Sequence, residues 1–198
     1  QCLVGSEMCI RDRNNTAYYG GGAIYLGDGD EYIVSKYLFT VKNSIFDGNL
    51  APFGGAIGTS DRGINMTGSK VCNNAVPQDS VMSRYGTGTG IYIKQGNSLI
   101  NGSIFADNVN LGNGKDIYIG HGNIIANYNW WGNNSVSDDK ISKWIIMTTP
   151  ENITAEKGKT IDVEVYFNHY TDTNGKIYDL DINCLLYTSP SPRDTERS

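Results

Sequence analysis

Between residues 14 and 135 apolar positions come in runs of three or four, divided by Gly, Asn and Asp, and helical periodicity is missing. Runs such as Ile91-Tyr92-Ile93 and Ile117-Tyr118-Ile119 have strand composition, and the clusters between them have turn composition. The runs resemble one another. Glycine-led strands at Gly21-Gly22-Ala23-Ile24-Tyr25 and Gly54-Gly55-Ala56-Ile57 return as Gly90-Ile91-Tyr92-Ile93 and Asp116-Ile117-Tyr118-Ile119. Their isoleucines at 24, 57, 91 and 117 are spaced 33, 34 and 26 residues apart. A second motif, Ser-x-Phe/Val with Asn close behind, occurs three times, at Ser44–Asn49, Ser69–Asn74 and Ser103–Asn108.

Self-similarity at such a period signals stacked units, each burying its apolar face against the next. The pattern predicts coils of a parallel β-helix over residues 14–135, with corresponding residues about 4.8 Å apart. The repeated isoleucines would form an inner aliphatic ladder. Asn49, Asn74 and Asn108 would form a hydrogen-bonded ladder at a corner, where Asn and Gly tolerate left-handed backbone angles. Residues 27–37 and 76–87 break the motif and read as excursions. A β-sandwich is the competing fold, because many short strands with turn signals suit it too. The resemblance between units favours the solenoid.

The composition changes after Asn134. Residues 136–143 read as a linker, and residues 144–183 as the incomplete start of an immunoglobulin-like sandwich, which needs about 100 residues. Trp144-Ile145-Ile146-Met147 reads as a strand. Ile161, Val163, Val165 and Phe167 alternate with polar or amphipathic residues, as in a half-buried strand. Glu156-Lys157-Gly158-Lys159 offers a turn before it, and Asn174-Gly175 is a tight-hairpin signature.

Both ends carry a different signal. The stretch Cys184–Asp194 can be back-translated into DNA whose opposite strand encodes Leu3–Asp12. Two unrelated protein ends should not be reverse complements of one oligonucleotide. Residues 1–13 and 184–198 therefore read as translated adapter from transposon-based sequencing, and are set aside for fold reasoning. Cys2, Cys9 and Cys184 go with them. Only Cys72 remains, so the cysteines give neither a disulfide framework nor a metal site. The ends carry four basic and four acidic residues, so the remainder keeps the net charge of −5. An acidic segment without a basic run argues against nucleic acid. No apolar run approaches the length that spans a bilayer, so no membrane contact is expected of this segment.

The coil motifs, the closing Asn127-Tyr128-Asn129-Trp130-Trp131-Gly132-Asn133-Asn134, and the passage from Trp144-Ile145-Ile146-Met147 to Val165-Tyr166-Phe167-Asn168-His169-Tyr170 resemble the adhesin-like proteins of methanogenic archaea. The resemblance covers nearly all of residues 14–183. Trp130-Trp131-Gly132 with the strand at 145–147 is its most specific part. It implies a large cell-surface protein built of right-handed, pectate-lyase-like β-helices and trailing immunoglobulin-like repeats. It implies no motif-defined ligand site.

Two functional classes remain on the residues themselves. The first is a non-catalytic, extracellular surface module displaying an elongated face to glycans or proteins of other cells. Trp130 and Trp131 are its candidate residues, either stacking on sugar rings or capping the open end of the solenoid; the cap is preferred. The second is a polysaccharide lyase or glycoside hydrolase whose active-site coils lie elsewhere. A calcium-assisted lyase needs converging carboxylates, yet Asp47 aligns with Cys72 and Ala106. Asp28 and Asp30 loosely match calcium-binding loops without the repeat that makes a cage. A hydrolase needs two carboxylates at a defined separation. His121 and His169 fall in different domains, which disfavours a Ser-His-Asp site. The expectation is therefore no catalytic residue, no metal site and no cofactor. Five Asn-x-Ser/Thr sequons, at Asn14, Asn65, Asn101, Asn133 and Asn152, suit a secreted chain.

Overall fold

The computed structural model describes residues 11–27, 36–77, 88–110, 115–136, 138–150, 154, 158, 160 and 162–181. Within them the chain is all-β, with no helix. Most strands belong to stacked parallel sheets, an arrangement compatible with a β-helix. The chain travels in circuits, and each circuit adds one strand to each of three sheets.

The first sheet stacks β2 (Ile24–Leu26), β5 (Ile57–Thr59), β9 (Gly88–Gln95) and β13 (Lys115–His121). Its register pairs Ile24 with Ile57, Ile57 with Ile91, and Ile91 with Ile117, which is the row that the repeat predicts. The second sheet stacks β3 (Phe39–Lys42), β6 (Ile64–Thr67), β10 (Ser98–Asn101) and β14 (Ile124–Ile125). The third stacks β1 (Arg11–Arg13), β4 (Ile45–Asp47), β7 (Lys70–Cys72) and β11 (Ile104–Ala106). A short pair, β8 (Ala75–Val76) and β12 (Val109–Asn110), follows the third sheet.

Strand alternation decides which residues face the shared core. Ile57 and Ile91 from the first sheet, Met66 and Ile100 from the second, and Phe46, Val71 and Phe105 from the third are fully buried. Each such side chain contributes about 1.5–3 kcal/mol. Outward rows carry Tyr92 and Tyr118, whose rings stack 5.4 Å apart.

Polar ladders run along the corners. The Oδ1 of Asn74 accepts from the backbone N–H and the Nδ2 of Asn49, both at 3.0 Å. Asn108 Oδ1 accepts the same pair from Asn74, and Asn49 Oδ1 the same pair from Asn15. The residues just before these asparagines, Asn14, Gly48, Asn73 and Asp107, all have φ between +55° and +69°. The Gly-Gly pairs have a similar cause. Gly54 has φ +57°, and a Cβ on Gly55 would lie 2.2 Å from the Thr89 carbonyl oxygen.

β1 comes from the segment read as adapter, and none of its three residues is buried. Arg11–Arg13 pair in parallel with Ile45–Asp47, because a strand ladder is made by backbone groups and asks little of side chains. The side chains fit poorly, since Asp12 takes the position held by Phe46, Val71 and Phe105 in the later circuits. Residues 1–10 and 184–198 lie outside the described residues, as do Asp28, Asp30, Asn152, Ile161 and most of the two excursions.

After the last circuit, β15 (Lys143–Thr148), β16 (Tyr166–Asp172) and β17 (Ile177–Asp179) form an antiparallel sheet in that order. The hairpin falls at 173–176 as the Asn-Gly pair predicts, with Gly175 at φ +75° and Asp172 Oδ1 accepting from Asn174 and Lys176 N–H. Two expectations change. The alternating stretch forms a strand only from Tyr166 onward, and Val163 and Val165 stay exposed. Alternation specifies a face to bury, but burial needs a partner surface, and β15 pairs with Tyr166–Asp172 instead.

The other change concerns residues 136–143, expected to be a linker. Ile141 is buried, Val136 packs on the core, and Asp138 Oδ2 meets Lys115 Nζ at 2.9 Å. The segment folds over the end of the stack because the last circuit leaves apolar surface there. Asp139, Lys140 and Ser142 remain exposed.

Candidate functional site

The closing motif is a disguised fourth copy of the Ser-x-Phe unit. Ser44 N–H donates to Ser69 Oγ, and Ser69 N–H to Ser103 Oγ. The next step takes Ser103 N–H to Asn129 Oδ1 at 2.9 Å, so Asn129 holds the place of the serine. Asn129 Nδ2 also donates to the Ile100 carbonyl at 2.7 Å. Trp130 bridges to Ile104 in parallel, which puts Trp131 level with Phe105.

Alternation then separates the two tryptophans. Trp131 turns inward and lies on Phe105, with ring centroids 4.8 Å apart and planes 17° from parallel. Trp130 turns outward and meets Phe167 of β16 edge-on at 5.0 Å. The two candidate tryptophans thus lie in different places, Trp131 against the inner row and Trp130 against β16.

The motif also holds the following sheet. Asn127 Oδ1 accepts from the N–H of Ser142 and of Lys143. Tyr128 N–H donates to the Lys143 carbonyl, and Ile145 N–H to the Asn129 carbonyl. Asn134 takes the N–H of Met147 on Oδ1 at 2.7 Å and gives Nδ2 to the Met147 carbonyl at 2.9 Å. Its own carbonyl accepts Trp144 Nε1. Tyr128 sits at φ +57°, the corner held in earlier circuits by Asn43, Gly68 and Gly102. A bulky residue there is costly. Its ring packs on Tyr170, and its hydroxyl accepts from Lys143 Nζ, which offsets the strain.

Two cavities flank this joint. One, of about 410 Å³, is an apolar groove between the outer face of the third sheet and β16, lined by Ile45, Ile104, Trp130, Val165 and Phe167 among others. The other, of about 370 Å³, lies between β13 and residues 133–141 and is lined by Lys115, Asp116, Tyr118, Trp131, Asp138 and Ile141 among others. Burial pushes the Asp116 carboxyl above the ordinary carboxylate value, and the hydrogen bond from Asn108 Nδ2 only partly opposes this. For Asp138 burial is outweighed by the bonds from Lys115 and the Lys140 N–H, and its value is lowered. The sequence pattern did not single out Asp116, Asp138, Asn127 or Asn134. The Asn-rich closing motif was the only available signal for the last two.

The remaining candidates do not converge. Asp47 aligns with Cys72 and Ala106, and its oxygens meet Asn73 Nδ2 and Arg13 Nε. His121 ends β13, whereas His169 on β16 meets Asp179 Oδ1 at 3.2 Å. Among the described residues, no three His, Cys, Asp or Glu lie close enough to hold a metal ion. Cys72 is buried and free, with its thiol pushed up by burial. Asn14 and Asn133 are exposed, and Asn65 and Asn101 half-buried. No family model, curated protein or solved structure matches the chain.

Proposed function

We propose that this chain belongs to a non-catalytic, extracellular surface protein of the adhesin-like kind. In this reading residues 14–135 are the C-terminal coils of a right-handed parallel β-helix, and residues 144–183 begin an immunoglobulin-like sandwich. Right-handedness is the usual sense of parallel crossovers. The module presents an elongated face to a glycan or protein on another surface.

The observation that carries the reading is the common register of four circuits, with Ile24, Ile57, Ile91 and Ile117 in one row. Such stacking builds a long, rigid surface in which each unit contacts only its neighbours. The hydrogen-bonded joint at Asn127–Asn134 supports a second role, holding the following sheet in a fixed orientation. Trp131 over Phe105 suits a cap better than a sugar platform.

The test is binding of the purified chain to an array of neutral and acidic glycans, alongside assays for new reducing ends and unsaturated products. Saturable binding without cleavage is expected. Turnover of any polysaccharide in the array would replace this reading with the lyase or hydrolase.

A further inference from the structure

Four of the five Asn-x-Ser/Thr triplets lie among the described residues, and the fold treats them differently. Asn65 is half-buried within β6, which is hydrogen-bonded on one edge to β3 and on the other to β10. Asn101 gives Nδ2 to the Asn127 and Ile100 carbonyls, at 3.0 and 2.9 Å, in the orientation that satisfies both ends of its amide. The hydroxyl of that triplet, on buried Ser103, donates to the Asn101 carbonyl and accepts the Ser69 N–H. Asn14 is exposed, but its triplet is laced to the next circuit. Asn14 N–H donates to the Asp47 carbonyl, Leu50 N–H to the Asn15 carbonyl, and Thr16 bridges to Leu50.

The triplet at 133–135 is of another kind. It lies between β14 and β15, outside every strand, and both Asn133 and Ser135 are exposed. Asn133 Oδ1 accepts the Ser135 N–H at 2.7 Å, which fixes the turn. Among the described residues, neither Asn133 Nδ2 nor the Ser135 hydroxyl makes a hydrogen bond. Asn134 between them holds Met147 through both ends of its amide, so the turn stands on a fixed support.

We propose that Asn133 is the one of these four residues that the folded protein presents for N-glycosylation, by a sugar delivered as its pyrophosphate. The proposal needs only the extracellular setting of the surface-module reading, and adds a modification site to it. In the transfer Asn133 Nδ2 bonds to C1 of the sugar while the C1–O bond to phosphate breaks. The pyrophosphate leaves with the bonding pair, and one Nδ2 proton passes to a base of the transferase. Such an enzyme recognises the asparagine together with the hydroxyl two residues on, so both must be reached from outside. At Asn101 the transfer would break two carbonyl bonds, at Asn65 it would open a central strand, and at Asn14 it would unlace a circuit.

The experiment incubates the folded chain with UDP-glucose and a soluble transferase that N-glucosylates Asn-x-Ser/Thr, and reads each triplet by peptide mass spectrometry. Glucose is expected on Asn133 and absent from Asn14, Asn65 and Asn101. Ser135→Ala should abolish the label at Asn133 and Ser135→Thr should keep it, and both are exposed changes that leave the core untouched. The proposal is overturned if Asn133 stays bare in the folded chain, if any of the other three is labelled equally, or if Ser135→Ala is labelled like the parent. Glucose on Asn133 in a chain that binds no glycan on the array would spare this site and remove the surface reading; the converse result would remove only the site.

Discussion

The indole of Trp131 lies over the ring of Phe105 at 4.8 Å, in the direction in which Phe105 itself follows Val71. The inner row of the third sheet therefore closes on the largest aromatic side chain rather than on open core. Trp131→Ala should lower stability by about 2–4 kcal/mol, somewhat below a fully buried aromatic deletion because the ring is half-buried. Trp130→Ala, on the outer face, should cost about 1 kcal/mol. Urea unfolding of both variants checks the difference; equal losses would mean that Trp131 does not close the core.

The asparagine row should show a gradient from its exposed start to its buried middle. Asn74→Ala removes the acceptor for Asn49 and the donor to the Phe46 carbonyl, both buried, and the part-buried bond to Asn108. A loss of about 3 kcal/mol or more is expected from the groups left unpaired. Asn15 is exposed and begins the row, so Asn15→Ala should cost under about 1 kcal/mol. The same unfolding curves decide this.

The joint can be opened separately from the stack. Asn134→Ala deletes both side-chain bonds to Met147, at a cost of about 1–2 kcal/mol. Hydrogen exchange should then accelerate at Met147 while Met66 and Ile100 keep their protection. Uniform acceleration would show that the sheet and the stack open as one unit.

Acid titration should separate two carboxylates by sign. Asp116 has a raised value in the fold, so the native state binds its proton more tightly than the unfolded chain. Its contribution is favourable at low pH and is lost as pH rises from about 4 through the folded value. Asp138 has a lowered value, so its contribution is present above about pH 4 and lost as pH falls. Asp116→Asn should therefore raise the urea midpoint at pH 7 and leave it nearly unchanged at about pH 3. A lower midpoint at pH 7 would contradict the assigned shift.

Cys72 offers a chemical check on the core. A buried thiol with a raised value supplies little thiolate. Native protein should leave Cys72 unmodified by a disulfide reagent, as read by peptide mass spectrometry, and denatured protein should modify it fully. Rapid native labelling would mean that the third sheet opens readily.

Much of the stack was legible because its rows are repeats of residue type. The isoleucine spacing pointed to the pairs Ile24–Ile57, Ile57–Ile91 and Ile91–Ile117, and the asparagines at 49, 74 and 108 to their corner ladder. The fourth Ser-x-Phe unit was missed because Asn129 replaces the serine and Trp131 the phenylalanine, which changes the residues while keeping the geometry. The strand at Tyr166–Asp172 was placed too early, because alternation marks amphipathicity without saying which neighbour will pair.

Local chemistry alone determined that this protein would be made of short strands turned at Gly and Asn corners, since left-handed backbone and β-branched runs leave few other choices. Tertiary structure decided the rest. Strand alternation turned adjacent tryptophans to opposite faces, and the apolar end of the last circuit drew Val136 and Ile141 onto itself from a segment that looks polar in sequence. Only that folding-over brings Trp131, Asp116 and Asp138, from separate parts of the chain, to the wall of one cavity.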